Sequence, residues 1–344
     1  MSFKEYITVK RTKMIDEASF GHKPLKLGQS ILAFVIFYII VSLLEAFIVG
    51  IPTYIYTLRA TQAHTGLQQL ISDYTSGLIS ADEYSSAYNA IALEIAESLP
   101  SWLGIVSLFA TAITIVACIY FCVKRENRPI TSMGIRKNGA VPEYLLGALI
   151  GGVMFSLAYL FAYVTGSVEV SGVADKFQPI IIVYLLAFII QGASEEFLVR
   201  GYFMVSLARD NRASVAIGVS SLAFGLLHLF NSGFNIIAFI NIVLFGIFLG
   251  IYVYKRGSIF GACAIHSMWN FIQGNVFGVS VSGSNAMPSI ISTKMGELDI
   301  INGGDFGLEG GLAVTIIIVI AIAVLLFTKT KESEISEVQI EYFA

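Results

Sequence analysis

Long apolar runs separated by short polar stretches dominate the chain. A spanning helix needs about 20 mostly apolar residues. Eight runs approach that length: 29–56, 102–123, 144–166, 178–207, 213–230, 236–254, 258–279 and 311–328. The pattern predicts an all-α fold, a polytopic membrane protein of about eight transmembrane helices. Only the polar stretch Arg209-Asp210-Asn211-Arg212 separates the fourth and fifth runs. Between the first two runs, residues 57–101 carry a different pattern. Tyr84, Tyr88, Ile91, Ile95 and Leu99 recur at helical spacing. Ser80-Ala-Asp-Glu83 has the form of a capping box, and Pro100 marks a stop. Leu67, Leu70, Ile71, Tyr74 and Leu78 predict a preceding helix. The segment is therefore expected to be an extracytoplasmic helical hairpin or a pair of membrane-surface helices. Residues 280–310, rich in Gly, Ser and Asn, read as a flexible outer loop.

Composition agrees with the pattern. The 344 residues are 56% hydrophobic and 13% charged, about half the usual charge of a soluble domain, with a mean hydropathy of +0.77. A net charge of −3 leaves no basic patch for a nucleic-acid partner. Cys118, Cys122 and Cys263 fall in apolar runs with no Cys-x-x-Cys pair, so they read as packing residues.

The cations orient the chain. With a cytoplasmic N-terminus, alternate connections hold Lys4, Lys10, Arg11, Lys13, Lys23 and Lys26, then Lys124, Arg125, Arg128, Arg136 and Lys137. Arg209, Arg212, Lys255, Arg256, Lys329 and Lys331 follow on the same side. Only Arg59, Lys176 and Lys294 fall outside, and Arg200 is left within a run. This gives a cytoplasmic tail at 1–28, a single transmembrane domain at 29–328 and a cytoplasmic tail at 329–344. That tail carries Glu332, Glu334, Glu337 and Glu341. The expected location is a lipid bilayer, of the kind found as a prokaryotic cell membrane.

Ionisable groups inside a span cost about 2.5–3.5 kcal/mol each and mark candidate sites. They cluster here. The fourth run carries Gln191-Gly-Ala-Ser-Glu-Glu-Phe-Leu-Val-Arg200, the fifth Phe224-Gly-Leu-Leu-His228 and the seventh His266-Ser-Met-Trp-Asn270; Glu45 stands apart. Residues four apart share a helix face, so Glu196 pairs with Arg200, and His266 and Asn270 point at one spot. Glu195 is turned about 100° from Glu196 and faces a different neighbour. Measured from the flanking Arg and Lys residues at about 1.5 Å per residue, the three groups share one depth. A carboxylate and an imidazole sharing a water form a general-base pair, and a second imidazole with an amide can donate to an oxyanion. That is the chemistry of acyl hydrolysis. Glu195, His228 and His266 would equally serve as a zinc triad on composition, although the spacing is not His-Glu-x-x-His.

These residues resemble a known family. Glu195-Glu196-Phe-Leu-Val-Arg200 is similar to the Glu-Glu-x-x-x-Arg motif of the CAAX-protease and bacteriocin-processing (CPBP, or Abi) intramembrane proteases. Phe224 to His228 resembles their Phe-x-x-x-His motif, and His266 to Asn270 their His-x-x-x-Asn/Asp motif. The resemblance covers about 140–280. It implies a glutamate-type endopeptidase in which Glu195 and His228 activate water and His266 and Asn270 stabilise the oxyanion. Glu196 and Arg200 then hold the site together with Phe224. No cofactor is required by that mechanism, with zinc as the alternative. The implied substrate is a membrane-associated or lipid-modified peptide or protein, as in CAAX-protein trimming or bacteriocin and pheromone processing. Two other readings fit the same residues: a bacteriocin-immunity or peptide-binding protein, and a transporter with an intramembrane proton site. The dipeptide Gln191-Gly192, read as a helix break, would favour the transporter.

Overall fold

The computed structural model describes residues 12–100, 102–284 and 287–329. Lys4, Lys10, Arg11 and the C-terminal tail from residue 330, including Lys331 and its glutamates, lie outside the described residues. The protein is a helical membrane protein, 73% helix. Every apolar run of the sequence forms helix. Among the described residues, five helices are long and apolar enough to cross a bilayer: α1 (Leu27–Ala63), α4 (Trp102–Arg125), α5 (Ala140–Val164), α6 (Ile180–Ala208) and α8 (Ile236–Arg256). Two apolar helices are shorter, α7 (Ala213–Leu226) and α10 (Leu312–Phe327). The seventh run forms α9 (Phe260–Phe271), extended by a π-helical turn at Ile272–Val276. The α1 helix runs past the expected end of its span, because nothing between residues 56 and 63 interrupts it.

The chain divides into two compact units, Met1–Tyr38 with Thr111–Ala344, and Ile39–Ala110. In the smaller unit, α2 (Thr65–Thr75) and α3 (Ala81–Glu97) pack as a hairpin. The capping box forms as the sequence predicts: Ser80 Oγ accepts from Glu83 N, and the Glu83 carboxylate accepts from Ser80 N at 2.8 Å. The Ser80 backbone N–H holds the exposed Glu83 carboxyl below its ordinary value. Tyr74 stacks on Tyr84 at 4.5 Å, and Tyr84 on Tyr88 at 5.9 Å. Leu78 lies beyond the end of α2 in the turn between the two helices.

In the larger unit, α9 is clasped between α5 and α6. The clasp depends on glycine. A Cβ on Gly147 or Gly151, one turn apart on α5, would strike the backbone oxygens of Gly261 and Ile265 on α9. A Cβ on Gly192 of α6 would lie 2.7 Å from Ser267 N. In hydrocarbon, helices associate through such close approach of small residues, because lipid tails satisfy apolar side chains as well as other helices do. Gly192 is thus a contact residue inside an unbroken helix, and the expected helix break at Gln191-Gly192 does not occur. The irregularity lies farther on. Phe197–Met204 is π-helical and wholly buried.

The connections of this unit gather in two groups. At one end, His22 N donates to Glu126 O at 2.8 Å, and Arg136 reaches Glu17 at 3.1 Å and Gly257 O at 3.2 Å. Arg209 donates to His22 O. The stretch before α1 is therefore not a plain tail: Lys13–Ala18 is a helical turn with Met14, Ile15 and Ala18 buried. In the other group, β1 (Val168–Val173) pairs antiparallel with β2 (Ile291–Met295). The flexible loop expected at 280–310 is instead folded. Asn302 and Phe306 are fully buried, and Asn302 Nδ2 donates to Ser167 O at 2.7 Å. Its glycines allow tight turns there, and no helical or alternating period announces the buried positions. Gly151→Val should force α5 away from α9. We expect a loss of about 1–3 kcal/mol or more from overpacking, read as a lower unfolding temperature in detergent.

Candidate active site

Three elements bring the site together. Helix α6 supplies Gln191, Glu195, Glu196 and Arg200. The end of α7 supplies Phe224 and His228, and α9 supplies His266 and Asn270. Arg200 is fully buried and donates to Glu196 Oε1 at 3.0 Å and to Gly246 O at 3.2 Å. Its guanidinium also lies 4.6 Å from the centre of the Phe224 ring, a cation–π contact. His266 Nδ1 lies 2.9 Å from the same Glu196 oxygen. One buried carboxylate thus ties α6 to α9 while neutralising its own arginine.

Glu195 faces the other way, as helical geometry requires. Its Oε1 accepts from Gln191 Nε2 at 2.6 Å, and Gln191 Oε1 accepts from Asn270 Nδ2 at 2.9 Å. Its Oε2 is buried and has no hydrogen-bond partner among the described residues. His266 Nε2 lies 3.7 Å from that atom and His228 Nε2 lies 4.0 Å from it. The structure thus brings Glu195, His228 and His266 together. Asn270 joins them through Gln191, and Glu196, Arg200 and Phe224 support them.

His228 does not sit within a helix, as the run 213–230 suggests. The α7 helix stops at Leu226, and His228 occupies the turn that follows. Its Nδ1 lies 2.8 Å from Phe224 O, one of the carbonyls left open at a helix C-terminus. A carbonyl only accepts, so Nδ1 carries the proton and Nε2 of the neutral ring is an acceptor. His266 Nδ1 likewise carries a proton, because it faces a carboxylate. The outward nitrogens of both imidazoles and Glu195 Oε2 face one another across gaps that one water can bridge.

Neutral, Nδ1-anchored imidazoles also suit metal ligation. The side chains nevertheless do not gather as metal ligands do: among the described residues, no group of three or more His, Cys, Asp or Glu is arranged to hold an ion. His228 and His266 open onto a small cleft walled by Ile242 and Phe245 of α8 and Val314 and Ile318 of α10. Glu309 and Ser282, from the folded 280–310 segment, complete it.

The sequence reading missed two parts of this site. Gln191 shares a face with Glu195 at i,i+4 spacing, a signal that was available. Glu309 and Ser282 come from the segment read as flexible and carry no local signal.

The family described as type II CAAX prenyl endopeptidase Rce1-like matches residues 177–272. That segment is Rce1-like. It contains every site residue that the three motifs supply, and it ends two residues beyond Asn270. The likeness of this segment to that protease family supports intramembrane endopeptidase activity in broad class. No curated protein and no solved structure matches the chain. The Rce1-like segment does not reach Ser282, Glu309 or α10, so part of the cleft wall lies outside it.

The shared Glu196 anchor can be measured. Glu196→Gln and Arg200→Met should each cost about 3–5 kcal/mol, since each leaves a buried charge unpaired. The double variant should cost clearly less than the sum. Additive losses in equilibrium unfolding would show that the two charges do not depend on each other.

Proposed function

We propose that the protein hydrolyses a peptide bond within the membrane using a water activated by Glu195 and His228. The observation that carries this reading is the meeting of two imidazole nitrogens at the buried, unpartnered Glu195 Oε2. A water placed there donates one proton to Glu195 and the other to an imidazole, leaving its oxygen lone pairs for the scissile carbonyl. As the water oxygen bonds to the carbonyl carbon, Glu195 takes its proton. The developing oxyanion accepts from the free amide hydrogen of Asn270 and from His266 Nε2, which carries a proton when the ring is an imidazolium between Glu195 and Glu196. Collapse of the tetrahedral intermediate breaks the C–N bond, and Glu195 returns its proton to the leaving amine.

Gln191 is a positioning residue in this scheme. It fixes one oxygen of Glu195, leaves the other aimed at the water, and sets the Asn270 amide. Glu196 and Arg200 hold α6 against α9 and orient His266. No step requires a resident metal, because the carboxylate and imidazole supply the base and donor functions themselves. The substrate is a membrane-associated peptide or protein, lipid-modified in the manner of CAAX proteins or a peptide precursor of the bacteriocin type. The bias of Arg and Lys toward alternate connections supports cytoplasmic termini, and the setting we infer is a prokaryotic cell membrane.

Glu195→Ala and His228→Ala should each lower turnover at least about a hundredfold, the scale of general-base catalysis, while the unfolding temperature stays near that of the unaltered protein. Unimpaired turnover by the Glu195 variant would end this reading. Dialysis against a strong chelator should leave the rate unchanged. A loss restored by added zinc would move Glu195, His228 and His266 to the role of metal ligands.

A further inference from the structure

The cleft beside His228 and His266 holds a third carboxylate that the hydrolytic scheme does not use. Glu309 Oε1 accepts from Trp269 Nε1 at 3.0 Å. Its Oε2 accepts from Ser282 N at 2.8 Å and from Ser282 Oγ at 2.6 Å. Asn241 Nδ2 donates to the Glu309 backbone oxygen at 2.8 Å, which fixes the residue from α8 as well. All of these donors are neutral. No Lys or Arg side chain forms an ion pair with Glu309 among the described residues.

Neutral donors satisfy the carboxylate oxygens but bring no opposite charge to them. A half-buried carboxylate thus lines a cleft whose other walls are largely apolar. A basic side chain entering that cleft would meet its counter-charge there. Trp269 lies one helical turn from His266 on α9, so the indole that fixes Glu309 stands on the same helix face as the proposed reacting groups.

We propose that Glu309 is a specificity residue that receives a basic side chain, Lys or Arg, of the peptide substrate close to the cleaved bond. The inference rests on the hydrolase reading above and adds the substrate class. A structural role alone, tying the 280–310 segment to α9, would make loss of Glu309 harmful to every substrate alike. Charge recognition makes the loss selective.

The test uses the full chain in lipid nanodiscs and myristoyl-anchored, internally quenched decapeptides with Lys, Gln or Glu at each position in turn. We expect a Lys peptide to exceed its Gln counterpart about tenfold or more in kcat/KM at one position, the scale of a charge-assisted hydrogen bond. Glu309→Gln should bring that ratio near one, Glu309→Asp should keep most of it, and Glu309→Lys should favour the Glu peptide. Binding of dye-labelled versions of the same peptides to Glu195→Ala gives a readout independent of cleavage. Preferential binding of the Lys peptide that disappears with Glu309→Gln, together with no cleavage by the unaltered protein, would uphold the specificity role while removing the hydrolase reading. Cleavage with no Lys advantage at any position in the unaltered protein would overturn the inference, whether or not the variants fold. An equal loss across all peptides in Glu309→Gln would overturn it too.

Discussion

The larger unit is organised around a single carboxylate oxygen. Glu196 Oε1 receives the Arg200 guanidinium and His266 Nδ1 at once, with both contacts buried. Each contact explains the other. Without Arg200, Glu196 would be a bare charge in hydrocarbon; without Glu196, His266 would have neither a fixed tautomer nor a fixed ring plane. The Phe224 face over Arg200 draws the end of α7 into the same assembly, and His228 follows four residues on. A structural ion pair and a reactive imidazole are thus one arrangement, and its stability is coupled to the geometry of the proposed chemistry.

Around this anchor, backbone contacts set the spacing of the helices. Gly147 and Gly151 bring α5 onto α9, and Gly192 brings α6 onto the same helix from another direction. With little room left to slide, α9 presents His266 and Asn270 at a set height. The π-helical stretch at Phe197–Met204 begins directly after the two glutamates. Such stretches are frequent where a helix must turn side chains toward a site without ending.

Much of this was readable in the sequence, because the membrane leaves few options for a charged residue. The i,i+4 pairing of Glu196 with Arg200, the divergence of Glu195 and the common depth of three motifs all follow from helix geometry. The capping box at Ser80 was legible for the same reason, being a local pattern with one geometric solution. What escaped depends on contacts between distant segments. The burial of Asn302 and Phe306, the β1–β2 pairing and the Trp269–Glu309 contact join residues far apart in sequence. Gly192 misled in the opposite way: in isolation glycine suggests a break, but here its missing side chain is what a neighbouring backbone needs.

The length of α7 has a further consequence for the lipid around it. Its 14 residues rise about 21 Å, while the hydrocarbon layer is about 30 Å thick. The chain turns at His228 before that distance is covered, and Phe230 is left almost wholly exposed just beyond. Lipids bordering the turn must tilt or shorten to meet its polar backbone. Such a mismatch would thin the apolar barrier beside the proposed reacting groups and shorten the path of water to them. In that reading, bilayer thickness would act on the supply of water to the proposed reaction.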